Sequence, residues 1–271
     1  MLFKLKLPKP LDLKSTEIFI NTEIVKGKRR HTLPKHNHIQ AVLGLLSAKL
    51  ICYFSEYLVK KKYPEIAKIQ YKAREDGGLS GDYKFLRLYE ISKIIKEFDI
   101  KTVCEFGSGA STALWANLAD HVVSFEENKY YLNKTKQLIK KFKNINLIHK
   151  KRVIKQVNNE LVTFYDIPNS FFKKSFDLIY IDGPTAKILK DDSVPKSYIN
   201  NTTLRTPNVD IIKFFINNNF PKYIVIDGRI STVKNILKEY SEFYDFYPRY
   251  FYENKNMKSG TYLYHSIFIK K

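Results

Sequence analysis

The sequence predicts an α/β protein: a doubly wound, mostly parallel, seven-stranded sheet with a C-terminal antiparallel hairpin, preceded by an N-terminal helical extension. Three observations predict it. Apolar runs of strand length alternate with amphipathic stretches of helix length from about residue 83 to residue 240, as in a parallel sheet covered on both faces. The first run, Thr102-Val103-Cys104, passes through Glu105-Phe106-Gly107-Ser108-Gly109 into a helix, so a glycine-bearing turn joins first strand to first helix. The last two runs, Phe243 to Tyr252 and Thr261 to Ile269, are aromatic and are linked only by the short stretch Asn254 to Gly260. A connection that short makes an antiparallel pair.

The chain has 271 residues, 44% of them hydrophobic, and a formal net charge of +20. That length suits one large domain with an appendage or two small ones, and the expected division is a basic arm with a helical extension over 1–80 and the α/β domain over 81–271. So large a positive charge attracts anionic small molecules, nucleic acid or an acidic membrane surface, and it serves equally as a solubilising surface. Cys52 and Cys104 are too few for a disulfide framework. The first fourteen residues lack the apolar core of a secretory signal, so a cytoplasmic location is expected.

Residues 1–38 hold nine Lys/Arg against three acidic residues, which reads as an extended arm. His31, His36 and His38 fall close together there, but no neighbouring cysteine or carboxylate would complete a metal site. Ile39 to Val59 is long enough to span a membrane. Lys49 at its centre and Glu56 on the same helical face favour an amphipathic helix packed on the α/β domain or a partner instead, with peripheral membrane contact aided by Lys60, Lys61 and Lys62 as an alternative. Gly77, Gly78 and Gly81 mark the boundary that follows. Next comes a helix with Phe85, Leu86, Leu88, Ile91, Ile94 and Ile95 at helical spacing. The second strand, Val122 to Phe125, leads through Glu126 to a helix over Lys129 to Phe142, and the third strand is Ile145 to Ile148. Within Lys150 to Ser175 only Leu161 to Tyr165 has strand character. Phe176 to Asp182 is the fourth strand and Tyr223 to Gly228 the fifth, with helices over Asp210 to Asn217 and Ser231 to Tyr240. The polar stretch 185–206 is too long for a simple connection and reads as a functional loop.

The turn after the first strand carries the chemistry. Glycines at 107 and 109 let the main chain turn sharply and approach a ligand, and the helix start behind them offers unpaired N–H groups. Glu126 lies at the end of the second strand, twenty-one positions after Glu105, where a carboxylate accepts hydrogen bonds from both hydroxyls of a ribose. These residues read as a nucleoside pocket.

Glu105-Phe106-Gly107-Ser108-Gly109 with Thr112, the acidic Glu126, the strand ending Ile181-Asp182-Gly183-Pro184 and the closing hairpin together resemble the class I S-adenosylmethionine-dependent methyltransferases, over about residues 82–271. The resemblance implies that Gly107, Ser108 and Gly109 line the methionine part of S-adenosylmethionine, with Glu105 beneath it and Glu126 on the ribose; Glu127 is the alternative if the strand register shifts by one. Ser111 and Thr112 cap the helix and are counted with the cofactor-binding residues. No acidic residue at His149-Lys150-Lys151 matches an adenine contact. Asp182 and Asp227, at the ends of the fourth and fifth strands, are the catalytic candidates, Asp182 first, as general base or metal ligand. Arg229 is the candidate for an anionic substrate group, or else neutralises Asp227. Related metal-dependent enzymes hold magnesium with acidic residues at these two strand ends. This sequence departs from them, with Gly228 where a second consecutive acidic residue is often found, so magnesium is compatible but not predicted.

The expectation is an O-methyltransferase acting on a sugar or sugar-linked intermediate of surface-glycan biosynthesis, since Ile-Asp-Gly-Pro after the fourth strand resembles bacterial methyltransferases of such pathways and the positive charge suits an anionic acceptor. An RNA (ribose) methyltransferase is the first rival. Base-modifying enzymes of this fold often carry Asn/Asp-Pro-Pro-Tyr/Phe where this chain has Asp182-Gly183-Pro184-Thr185, so nucleic acid is not favoured. A non-enzymatic module that binds a partner or membrane surface is the second.

Overall fold

The computed structural model describes residues 7, 9–12, 30–31, 38–75, 83–157, 160–189, 192–195, 198, 205–255 and 258–271. Its strands are β1 (Arg30–His31), β2 (Thr102–Phe106), β3 (His121–Glu126), β4 (Ile145–His149), β5 (Arg152–Val157), β6 (Glu160–Tyr165), β7 (Leu178–Ile181), β8 (Tyr223–Asp227), β9 (Tyr244–Lys255) and β10 (Lys258–Lys270). The helices are α1 (His38–Lys62), α2 (Pro64–Glu75), α3 (Tyr83–Glu97), α4 (Ala110–Leu118), α5 (Lys129–Leu138), α6 (Asp210–Ile216) and α7 (Ile230–Tyr240).

The main sheet runs β1-β10-β8-β7-β2-β3-β4, with β9 also paired to β10. Strands β4, β3, β2, β7 and β8 are parallel, while β10 runs antiparallel to both β8 and β9. The last strand of the chain is thus inserted between β8 and its own hairpin partner. This is the expected doubly wound sheet with its antiparallel closing pair. Two strands were not anticipated. Arg30–His31 adds a short antiparallel pairing to β10, and β5 forms a separate hairpin with β6. β5 escaped notice because Lys155 and Gln156 interrupt its apolar residues and half of it is exposed.

Successive residues of a strand point to opposite faces, and two cores result. Cys104, Phe106, Val123 and Phe125 join Phe171, Phe172 and Phe214 on one face. Val103 and Val122 join Trp115, Phe85, Ile91 and Ile94 on the other. The second core continues into the extension through Val59, Tyr63, Ile66 and Ala67, and Leu11 N–H donates to the Phe246 carbonyl at 3.0 Å, so the extension and the α/β domain share packing. The Gly77, Gly78 and Gly81 boundary lies outside the described residues.

The helix expected over Ile39 to Val59 is α1, and over residues 50–62, where its side chains are described, the amphipathic reading needs correction. Cys52, Ser55 and Val59 are buried, whereas Leu50, Ile51, Tyr53, Phe54 and Tyr57 are exposed. Glu56 accepts a hydrogen bond from Tyr71 of α2. A helix laid on neighbouring helices buries only a stripe of its surface, and here that stripe is made of small residues while the larger apolar ones face outward. No helix among the described residues is long and apolar enough to cross a membrane.

Strand order reverses between β2 and β7: the chain goes from β2 outward to β3 and β4, then returns to β7 on the other side. Ligands of open α/β sheets bind at the carboxyl ends of the strands at such a point. The cleft described next lies there.

Candidate functional site

The cleft is lined by Gly107, Ser108, Gly109, Ala110 and Ser111 after β2, Glu126, Glu127 and Asn128 after β3, Asp182, Gly183 and Thr185 after β7, and Asp227 and Arg229 after β8. α2 contributes Gln70, and α3 contributes Lys84, Arg87, Leu88 and Ile91. Of the ten residues anticipated as functional, eight face this cleft; Glu105 and Thr112 stand behind its wall.

The two glycines of the turn differ in what they do. Gly107 has φ +97°, and a Cβ there would sit 2.5 Å from the Gly183 nitrogen. Its constraint is therefore the neighbouring turn after β7, not a ligand. The Phe106 carbonyl ties the same two turns, accepting the Asp182 N–H at 2.8 Å and also the Gly183 N–H. Gly109 is extended at φ 175°, and a Cβ there would meet nothing within 4 Å. Its missing side chain leaves open space on the cleft wall.

Behind the turn, Glu105 has no solvent exposure and gathers four donors. The Ser111 hydroxyl donates at 2.6 Å, the Thr112 hydroxyl at 2.5 Å, the Trp115 indole N–H at 3.1 Å and the Ser124 hydroxyl at 2.6 Å. Thr112 Oγ1 also accepts the Gly109 N–H at 2.7 Å, so the carboxylate holds the turn through one intervening hydroxyl. Burial raises the Glu105 pKa to about 7, against the lowering pull of the three hydroxyl donors.

Glu126 and Glu127 are adjacent in sequence yet engage different turns. Glu126 accepts the Ser108 N–H at 3.0 Å, the Ser108 hydroxyl at 3.1 Å and the Asn128 N–H at 2.9 Å. Glu127 accepts the Thr185 N–H at 2.9 Å and the Tyr165 hydroxyl at 2.7 Å. Burial and then the charge of Glu127 raise the Glu126 pKa to about 7. Burial also pushes on Glu127, but its hydrogen bonds from Thr185 and Tyr165 outweigh it, and its pKa is lowered. The two neighbouring carboxyls are thus driven in opposite directions, Glu126 up and Glu127 down.

Across the cleft, Asp182 is open to solvent through the mouth while recessed at the floor. Burial first, and Asp227 next, raise its pKa; Lys84, Arg229 and Arg87 pull it down. Asp227 is almost fully buried. It forms an ion pair with the equally buried Arg87 and accepts the Tyr180 hydroxyl at 3.3 Å. Arg229 lines the cleft, and its guanidinium donates to the carbonyls of Asp182 and Pro184 and so fastens the turn after β7. The cation beside Asp227 is Arg87.

Below Asp227 the polar residues continue inward. The Tyr180 hydroxyl lies 3.5 Å from His265 Nε2, and His265 Nδ1 lies 2.6 Å from Glu90. Glu90 also accepts from Arg249 Nε at 2.6 Å and from the Tyr264 hydroxyl at 3.2 Å. Burial pushes the Glu90 pKa up, but the His265 hydrogen bond and the Arg249 charge outweigh it, and the net direction is down. Arg87 and Glu90 are three apart on α3, within the run Phe85, Leu86, Leu88, Ile91. Two charges inside an apolar helical stripe were the sequence signal for this network.

The residues at the ends of β7 and β8 do not fit a divalent ion. Arg87 is already paired with Asp227, Gly228 supplies no side-chain oxygen, and no cluster of three or more His, Cys, Asp or Glu suited to a metal exists among the described residues. The side chains of His31, His36 and His38 lie outside what is described.

No protein-family profile and no curated protein sequence matches this chain. Solved structures do. The O-methyltransferase TomG from Streptomyces achromogenes, involved in tomaymycin synthesis and solved in complex with S-adenosylmethionine, superposes with a TM-score of 0.50 and 10% identity, covering 82% of this chain and 96% of that one. An O-methyltransferase from Bacillus cereus in complex with S-adenosylhomocysteine gives a TM-score of 0.48 at 10% identity, covering 79% and 96%. At such identity the likeness to TomG shows the fold: this chain has the Rossmann-like architecture of class I methyltransferases.

Two outcomes test the site's construction. Gly107→Ala meets backbone at a positive φ and should destabilise the protein by roughly 2 kcal/mol or more, read as a lowered urea midpoint, whereas Gly109→Ala should leave that midpoint unchanged. The second concerns Glu105. A carboxyl whose pKa is raised by folding stabilises the protein fully below its unfolded value near 4.5, and that contribution disappears as pH rises to about 7. Glu105 alone should remove roughly 3 kcal/mol of stability between pH 4.5 and pH 7.5. Glu105→Gln can keep its oxygen toward Ser111 and Trp115 and turn its amide toward Thr112 and Ser124, so denaturant midpoints across that range should vary less in the variant than in the wild type.

Proposed function

We propose that this protein is an S-adenosylmethionine-dependent O-methyltransferase whose acceptor is a sugar or sugar-linked intermediate of surface-glycan biosynthesis. The observation that carries the reading is one cleft, at the switch point of the sheet, with the open-sided Gly109 turn and Glu126 on one wall and Asp182 on the other. The first wall suits a nucleoside with an extended tail; the second suits a hydroxyl nucleophile.

On the cofactor side, Gly107, Ser108 and Gly109 present main chain to the methionine portion, Ser111 flanks it, and Glu126 accepts from the ribose hydroxyls. Glu105 and Thr112 act by holding the turn in place. A carboxylate has about four acceptor positions, and Glu126 already fills three with Ser108 and Asn128. Ribose binding would therefore displace the Ser108 hydroxyl, which has an alternative partner in Thr135 Oγ1 at 3.3 Å. Asn128 and Tyr131 adjoin Glu126 on the cleft and offer an amide and an aromatic ring to the base.

The bound cofactor supplies an electrophilic methyl group on a sulfonium. The chain's task is then to align the acceptor for in-line attack and to remove its proton. Asp182 takes that proton as the oxygen–carbon bond forms and the carbon–sulfur bond breaks, and its raised pKa makes it the stronger base. Asp227, fixed by Arg87 and Tyr180, holds the floor beside it. Lys84 and Gln70 line the acceptor side. A cation and an amide there suit an oxygen-rich, anionic acceptor, while Leu88 and Ile91 give a sugar ring an apolar surface.

Calorimetry should show S-adenosylhomocysteine binding to the wild type and at least tenfold weaker binding to Glu126→Ala with the fold intact, since each lost charge-assisted hydrogen bond contributes about 1.5–3 kcal/mol. No binding to the wild type, or equal affinity in the variant, overturns the assignment. With an acceptor in hand, Asp182→Asn should lower kcat by about 10²-fold or more and leave the affinity for S-adenosylhomocysteine unchanged. The wild-type rate should fall on the acid side, as Asp182 takes up its proton.

A further inference from the structure

We infer that Arg87 stands in the place of a divalent cation, so that methyl transfer in this site proceeds without metal. The inference rests on the proposed methyltransferase reading and deepens it. Three observations carry it. Asp182 and Asp227 occupy the two adjacent strand ends from which a magnesium ion would be held, yet the Asp227 carboxylate is paired with the Arg87 guanidinium, both side chains being under 10% exposed. Position 228, the next available donor, is a glycine at φ +59° that supplies no side-chain oxygen. The opposite face of Asp227 is taken by the Tyr180 hydroxyl at 3.3 Å.

The electrostatics are those of a substitution. Two carboxylates on one cleft floor repel each other and need a positive charge between or beside them. A divalent ion would provide it and would order the acceptor's oxygens, but magnesium demands near-octahedral oxygen coordination, which a floor with an arginine on it cannot offer. The guanidinium supplies a permanent charge in a rigid planar fork. Its backbone position is secured by α3, on which Glu90, three residues along, is itself held by Arg249, Tyr264 and His265. Arg87 is thus a positioning residue: its ion pair holds Asp227 in place and leaves Asp182 to meet the acceptor hydroxyl.

Removing Arg87 leaves Asp227 as a buried charge without its partner, and a divalent ion is then the simplest relief. Manganese(II) binding to the full chain, followed by electron paramagnetic resonance, tests this directly, with S-adenosylhomocysteine binding measured on the same samples. The wild type should bind no manganese at the cleft. Arg87→Ala should bind it at least tenfold more tightly than the wild type, Arg87→Ala with Asp227→Asn should lose that gain, and Arg87→Lys should exclude the ion as the wild type does. Manganese bound by the wild type and lost in Asp227→Asn overturns the inference, as does an Arg87→Ala protein of native circular dichroism that gains no binding. Should Arg87→Ala fail to fold, the wild-type and Arg87→Lys measurements still decide it. Absence of S-adenosylhomocysteine binding would instead remove the methyltransferase reading, and this readout is separate from the manganese one.

Discussion

The site depends on how closely the turns after β2 and β7 approach each other. Gly107 and Gly183 face one another so tightly that a Cβ on either would fall about 2.5 Å from the other's backbone. The Phe106 carbonyl accepts N–H groups from the far turn, and Arg229 donates to that turn's carbonyls from β8. With the Gly107 N–H donating to the Phe125 carbonyl at 2.9 Å, the ends of β2, β3, β7 and β8 are thereby fastened through contacts to main-chain atoms. Side chains that leave those ends, Glu126 from β3, Asp182 from β7 and Asp227 from β8, inherit positions set by backbone and not by their own flexible torsions. This is the arrangement that alignment chemistry needs, because reacting groups must be held within a fraction of an ångström.

Carboxylates do the fastening on the proposed cofactor side, and burial gives each a different character. Glu105 sits wholly inside the protein with four donors and supports the turn from behind. Glu127 bridges to the turn after β7 through Thr185 and to the end of β6 through Tyr165. Glu126 is left with the partners that a ribose can most readily displace, a serine hydroxyl and two main-chain N–H groups. Burial of several acids within one small region is costly unless each is hydrogen-bonded, and the serine and threonine residues around them, Ser108, Ser111, Thr112 and Ser124, answer that cost.

The sheet was legible because its strands are fully buried and therefore read as unbroken apolar runs: Leu178–Ile181 and Tyr223–Asp227 are buried throughout. The turn and its downstream acid were legible because glycine and carboxylate spacing reflects local backbone geometry. What could not be read were the contacts between segments distant in sequence. Gly183 looked like the end of a strand, and nothing in its neighbours announces that its partner is Gly107. Arg229 looked like the counter-ion of Asp227 because it is two residues away, but the side chain that reaches Asp227 belongs to Arg87, 140 positions earlier. The face of α1 was misjudged for a related reason: hydrophobicity alone does not say which side of a helix its neighbours will cover, and Tyr53, Phe54 and Tyr57 remain outside.

These long-range contacts divide the site in a way the fold alone does not require. The proposed cofactor wall is built from the strand ends and turns of the sheet, the part shared with other proteins of this architecture. The opposite wall draws on α2 and α3, which precede the first parallel strand: Gln70, Lys84, Arg87, Leu88 and Ile91 all come from them. Gln70 is buried and its Nε2 has no hydrogen-bond partner among the described residues, so an acceptor atom entering the cleft would offset the desolvation of that donor. In the proposed reaction that atom belongs to the acceptor molecule. On that proposal, the segment preceding the first parallel strand is the one that selects the substrate. It is anchored where selection requires rigidity, with α3 buried along most of its length between the sheet and α1.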